Sequence, residues 1–164
     1  MIKLIVLDVD GTLSDGSLIY SNEGVEMKAF NVKDGLGIAM WIKLGGEVAI
    51  ITGRKSKLVE NRARELRITY LKQGVSDKAK ALEEILKEAN LSLKEVAIIG
   101  DDLNDLSMLK LVKYSFAPSD AVKEVKRNVH KVLKYKGGKG AVREMIDDLI
   151  KKEKLQVKLY EIFA

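Results

Sequence analysis

The 164-residue chain contains no cysteine and a single histidine. The first absence removes thiolate nucleophiles, disulfides and zinc-thiolate centres, and the second leaves little room for histidine-based acid-base or metal chemistry. No apolar run is long enough to cross a bilayer. The opening residues enter an apolar run directly, without the basic, apolar and small-residue series of a secretory signal, so a cytoplasmic, membrane-free protein is expected. The net charge is +5, and Lys123 to Lys158 is rich in lysine. Acidic residues interrupt that stretch and no aromatic stacking pattern accompanies it, so it reads as a solvated surface with no nucleic-acid partner. What remains is 46% hydrophobic and 32% charged. That composition suits one soluble domain over 1–164, able to bury a real core but too short to add a large second domain.

Ile2 to Leu7, Val48 to Ile51 and Val96 to Ile99 are near-continuous apolar runs, the pattern of parallel strands covered on both faces. Helical spacing falls between them over Gly35 to Leu44, Lys57 to Leu66 and Lys78 to Ala89, with Gly45-Gly46 and Asn90 as stop signals. Leu103 to Leu111, Tyr114 to Ala117, a helix from about Asp120, a strand near His130 to Leu133 and a helix over Ala141 to Ile150 continue the alternation. This predicts an α/β fold, a doubly wound and mostly parallel Rossmann-like sheet. A β-hairpin over about 17–30 interrupts the winding, its strands "SLIY" and "VEMKAF" flanking the turn "SNEG". The tail, about 152–164, looks appended.

Doubly wound sheets bind ligands beyond the carboxyl ends of their strands. Asp8 and Asp10 follow the first run, Thr52, Gly53 and Arg54 the second, and Gly100, Asp101 and Asp102 the third, with Asp105 one turn on. Converging oxygen donors without histidine or cysteine suit Mg2+, which bridges readily to a phosphate. Thr52 and Lys78 could add a hydroxyl and a point positive charge where a phosphoryl group in transfer spreads its own charge. With no cysteine and no serine-histidine pair on this rim, the nucleophile must be a carboxylate. Asp8 is placed to form an aspartyl-phosphate, and Asp10 to protonate the leaving alcohol and then deprotonate water.

"DVDGT", "ITGR", Lys78 and "GDDLND" resemble, in order, the four motifs of the haloacid dehalogenase superfamily of phosphohydrolases. The resemblance implies Asp8 as nucleophile, Asp10 as acid-base and as magnesium ligand through its backbone carbonyl, and Asp101 as the third protein ligand. Thr52 and Lys78 would hold the phosphate, and Asp102 and Asp105 would support the metal. "DVDGTLSDG", the hairpin, "FNVKDGLGI", "ITGRKSKLVENRARELRI" and "GGKGAVRE" are further similar to the capless branch containing the 3-deoxy-D-manno-octulosonate (KDO) 8-phosphate phosphatases and the phosphatases of nine-carbon sialic-acid-type sugars. In that branch the residues matching Asn31, Val32, Lys33, Asp34, Gly35, Gly53, Arg54 and Arg62 contact a sugar acid. Its members are homotetramers in which a neighbouring subunit walls the site and the tail can fold toward it. Ala39 stands where several relatives carry a basic residue, which loosens the match to the eight-carbon substrate more than the match to the chemistry.

Other readings compete at particular points. Strand-end aspartates often cap helices, Lys78 could be a solvated lysine opening a helix, and Arg62 reads equally well as an exposed arginine of an amphipathic helix. A receiver domain also gathers acidic residues, a threonine and a lysine on such a sheet, but in a different order, and a silent scaffold would not need every reactive position filled. His130 and Trp41 carry no assignment.

Overall fold

The computed structural model describes residues 1–164. Its strands are β1 (Leu4–Leu7), β2 (Ile19–Tyr20), β3 (Glu26–Met27), β4 (Glu47–Ile51), β5 (Tyr70–Lys72), β6 (Val96–Ile99), β7 (Tyr114–Ala117) and β8 (Lys131–Val132). The helices are α1 (Val32–Lys43), α2 (Lys57–Glu65), α3 (Lys78–Ala89), α4 (Leu106–Leu109), α5 (Lys123–Asn128), α6 (Ala141–Lys152) and α7 (Gln156–Phe163). Six strands form one sheet in the order β5-β4-β1-β6-β7-β8, and every neighbouring pair in it is parallel. The chain winds outward from β1 through β4 to β5, then returns to the other side of β1 to lay down β6, β7 and β8. That reversal opens a crevice between the ends of β1 and β6.

The continuous apolar runs follow from burial on two faces. Along β1, Ile5 and Leu7 join a cluster with Ile38 and Trp41 of α1, Val59 of α2 and Met145 and Leu149 of α6. Leu4 and Val6 point the other way, against Leu82 and Ile85 of α3, Met108 and Leu109 of α4 and Val125 of α5. Since side chains alternate across a strand, a two-sided core requires apolar residues at every position. Register keeps the strand ends level: Leu7 lies opposite both Ile50 and Ile99, so Asp8 leaves the sheet beside the ends of β4 and β6. Asn90 closes α3 in the left-handed conformation, with φ at 53°, which asparagine tolerates better than most residues.

Three elements depart from the expected pattern. The edge strand β5 was not anticipated; it has only three residues, all half-buried, so it lacks the apolar run that marks the central strands. The tail folds as α7, with Leu155, Leu159 and Ile162 packed on the α1/α6 core. Lys158 Nζ donates to the Leu44 carbonyl at 3.2 Å, so α7 sits at the far end of α1 from the carboxylate rim. Within the chain the tail does not reach the site.

The third departure is Asp34, expected to contact substrate. It is fully buried, and its carboxylate accepts from the backbone N–H of Arg143 at 2.8 Å and of Gly140 at 3.3 Å, capping the first turn of α6. Burial raises its pKa, and those two N–H donors oppose the rise. A cap that joins two packed helices is a stability device. Asp34→Ala is therefore expected to lower unfolding free energy by about 1–3 kcal/mol, read by urea denaturation, with KM for substrate little changed. A large KM effect in a variant of unchanged stability would return Asp34 to the binding surface.

Candidate active site

The turn that follows β1 brings the first two carboxylates to the crevice. Ser14 N–H donates to the Val9 carbonyl at 2.9 Å, closing a loop in which Gly11 adopts φ of +93°. A Cβ on Gly11 would lie 2.1 Å from Asp101 Oδ2, so only glycine lets this turn press against the carboxylate that follows β6. The loop from Gly137 holds it from behind. A Cβ there would meet the Gly11 carbonyl oxygen at 1.8 Å, and Gly138 N–H donates to the Thr12 carbonyl at 2.9 Å. The "GGKG" segment thereby buttresses the backbone of the first motif.

Asp8, Asp101 and Asp105 can each place an oxygen within 4.8 Å of the others. Lys78, the first residue of α3, donates at 2.6 Å to both Asp8 Oδ1 and Asp105 Oδ1, and its side chain is only 1% exposed. Burial works against its charge, but the carboxylates of Asp8 and Asp105 outweigh burial and hold the ammonium above its ordinary pKa. Lys78 is thus cationic, and it is too deeply buried and too closely paired to be a solvated helix-start lysine.

Three carboxylates still face one ammonium. Burial, and after it the charge of Asp105, push Asp8 well above the usual carboxylate range. The same two causes raise Asp101 to about 6. Excess negative charge in a low-dielectric crevice is what a divalent cation relieves, and the donor set is all oxygen. Asp105 is the least free of the three. Its Oδ2 accepts from the N–H of Asp101 at 2.8 Å and of Asp102 at 3.2 Å, while Oδ1 holds Lys78. Asp105 therefore organises the acidic loop, and Asp8 and Asp101 are the side chains open to a metal. Asp101 also accepts from Thr12 Oγ1 at 3.3 Å. Asp102 is exposed and caps the following turn through the Leu103 N–H at 2.7 Å.

Asp8, Asp10, Thr52, Gly53, Arg54, Asp101, Asp102 and Asn104 line a cavity of about 150 Å³ without a single hydrophobic residue. A larger cleft of about 580 Å³ along α3 gathers no carboxylate cluster, so the chemistry lies at the smaller one. The Asp10 carboxylate turns away from the other three toward Lys28 of the hairpin. Several expected binding residues do not line this cavity. Arg62 lies beneath Gly35, where a Cβ would meet its Nη2 at 2.5 Å. It pairs with Glu65 at 2.9 Å and sits over the Phe30 ring at 5.6 Å, which favours a packing role within the chain. Asn31 caps α1, accepting from Lys33 N–H at 2.8 Å, while Val32 and Lys33 are exposed.

Sequence reasoning missed Asn104, Lys28, Glu26, Tyr20 and Ser56. Asn104 stands within "GDDLND" and was overlooked beside stronger ligands. The hairpin residues had no signal, because β3 inverts the usual alternation: Glu26 and Lys28 face the protein while Val25 and Met27 face solvent.

A carboxylate held by a buried lysine at the carboxyl edge of a doubly wound sheet, with a threonine and further carboxylates around it, defines a phosphoryl-transfer hydrolase. Residues 70–146 match the haloacid dehalogenase-like hydrolase family. The chain is 47% identical over 156 residues to the KDO 8-phosphate phosphatase KdsC of Yersinia pestis, covering 94% of this chain and 83% of that protein. It is 46% identical over 149 residues to KdsC of Escherichia coli K12, covering 91% and 79%. The crystal structure of the KDO 8-phosphate phosphatase of Moraxella catarrhalis, in complex with magnesium, phosphate and KDO, superposes with a TM-score of 0.96 at 39% identity, covering 99% of this chain and 94% of that one. The chain belongs to the KDO 8-phosphate phosphatase family of haloacid dehalogenase-like hydrolases.

The carboxylate cluster makes a metal-binding prediction that does not depend on turnover. Because Asp101 is raised to about 6, its own contribution to stability is full below about pH 4 and is lost as pH rises through about 6. In chelator at about pH 7.5, Asp101→Asn should melt above the wild type because one repulsive charge is gone, and added magnesium should raise the melting temperature of the wild type only. Lowering the pH through 6 should shrink that gain as protons compete for Asp101. An equal magnesium shift in both proteins would place the ion elsewhere.

Proposed function

We propose that this protein hydrolyses KDO 8-phosphate to KDO and inorganic phosphate with magnesium, in the synthesis of lipopolysaccharide precursors. The observation that carries the reading is Asp8, its carboxylate held by Lys78 at 2.6 Å on the floor of a polar cavity that also contains Thr52. Relatives of 46–47% identity that carry the same activity in their names support the substrate class.

In this reading Asp8 attacks phosphorus, the bond from phosphorus to the sugar oxygen breaks, and Asp10 gives that oxygen a proton. Asp10 then takes a proton from water as the water attacks the aspartyl-phosphate, releasing phosphate and restoring Asp8. Thr52 and Lys78 hold the phosphoryl oxygens, and Lys78 balances the charge on the nucleophile. Asp8, Asp101 and the backbone carbonyl of Asp10 would hold magnesium, with Asp102 and Asp105 supporting the loop, and the ion supplies further stabilisation of the charge on the transferring group. Gly53 and Arg54 lie at the mouth, where Arg54 meets the sugar acid.

Assembly belongs to the same proposal. Leu18, Ile19, Val25 and Met27 are 44–60% exposed on the outer face of the hairpin, and a two-stranded hairpin is marginal alone. A homotetramer built on these faces would cover them. It would also let Asn31, with exposed Val32 and Lys33, contribute from one copy to the site of another. The cysteine-free chain suits the reducing cytoplasm.

A panel of sugar phosphates assayed by phosphate release tests the substrate. KDO 8-phosphate should exceed both a nine-carbon keto-acid 9-phosphate and 4-nitrophenyl phosphate by about tenfold or more in kcat/KM, a margin a few well-placed contacts supply. Preference for the nine-carbon acid would move the protein to the sialic-acid branch. Light scattering on the same preparation should read four copies, and a fully active monomer would overturn the assembly.

A further inference from the structure

The hairpin reaches the active site of its own chain, and it does so with charge. Lys28, just past β3, is only 1% exposed along its side chain, and its ammonium rests on Asp10 Oδ1. It also lies 3.3 Å from Glu26. Arg54, from the segment after β4, approaches the other Asp10 oxygen at 4.0 Å. Glu26 ties these cations together, meeting Arg54 at 3.4 Å and accepting from Ser56 Oγ at 2.9 Å. Tyr20 on β2 accepts from Arg54 at 2.7 Å. The Asp10 carboxylate is thus gripped from both sides, by the hairpin and by the core.

Burying an ammonium is costly unless it is paired, and Lys28 is paired with both Asp10 and Glu26. The two strands of the hairpin bear their apolar side chains outward, so what docks the hairpin on this face is the polar set centred on Asp10. Neither the assembly contacts proposed above nor magnesium coordination uses Lys28.

We propose that Lys28 is a positioning residue for Asp10: docked by Glu26, it fixes the carboxylate toward the departing oxygen and takes up the negative charge left when Asp10 gives its proton away. The hairpin then serves its own subunit's acid-base step as well as any contact between copies. The inference rests on the assignment of Asp10 as acid-base residue. No group is oxidised or reduced; the proton passes from Asp10 to the leaving oxygen, and Lys28 keeps its own.

The test separates proton delivery from general damage by varying the leaving group on the intact magnesium-loaded enzyme. Because kcat/KM reports all steps through departure of the alcohol, it is compared between phenyl phosphate, whose leaving oxygen needs a proton, and 4-nitrophenyl phosphate, whose leaving phenolate needs it much less. Neither carries a carboxylate that Lys28 could bind instead. Lys28→Met should lower kcat/KM about tenfold or more for phenyl phosphate and less than about threefold for 4-nitrophenyl phosphate, the size expected when an acid is displaced but present. Lys28→Arg should recover most of the loss. Equal falls on both substrates, or no fall, would overturn the proposal. If Lys28→Met does not fold, Glu26→Gln, which loosens Lys28 without removing it, should widen the same ratio by a smaller factor, and an unchanged ratio there refutes the role. Asp10→Asn is measured in parallel. A wild-type ratio in that variant means the acid-base assignment itself has failed, whereas a widened ratio there with an unchanged one in the Lys28 variants refutes Lys28 alone.

Discussion

A lysine ammonium enclosed between two carboxylates is the interaction on which this structure turns. Lys78 bonds Asp8 and Asp105 at 2.6 Å each, and its charge opposes the burial that pushes the Asp8 carboxyl up. The three residues come from the end of β1, the start of α3 and the loop after β6, so the ion triad requires the sheet to bring those strands level. The register of β1 with β4 and β6 does that. With Asp101 beside the triad, three carboxylates face one ammonium, and that surplus of acid makes the crevice a place for a cation.

The parts of the fold legible in the sequence are those whose physics is one-dimensional. A strand covered on both faces must be apolar at every position, so β1, β4 and β6 stand out as runs and the residues after them mark the rim. Lys78 was found because α3 has clear helical spacing and its first residue falls between the threonine and the acidic loop. The edge strand β5, short and half-buried, carries no such run. The hairpin misleads because its buried face is polar and its exposed face apolar, the reverse of the rule for a half-buried strand, so nothing in the sequence marks Glu26 and Lys28. Asp34 and Arg62 fail for another reason. Asp34 is taken by the N–H groups that open α6, and Arg62 lies beneath Gly35, over Phe30 and beside Glu65, and only the folded chain shows these placements.

These misreadings share a cause with the function. The inverted hairpin turns its charged side chains to Asp10 and Arg54, which leaves its apolar side chains exposed. Site completion and the proposed assembly thus meet in one short insertion.

The central claim is that Asp8 is a covalent nucleophile rather than a metal ligand alone. Rapid quenching of KDO 8-phosphate carrying a radiolabelled phosphoryl group, followed by peptide mapping, tests it most directly. The account predicts transient label on the peptide containing Asp8, labile to hydroxylamine as an acyl-phosphate is and absent from Asp8→Asn. Turnover with no enzyme-bound label at any quench time, or label on a different residue, would contradict it.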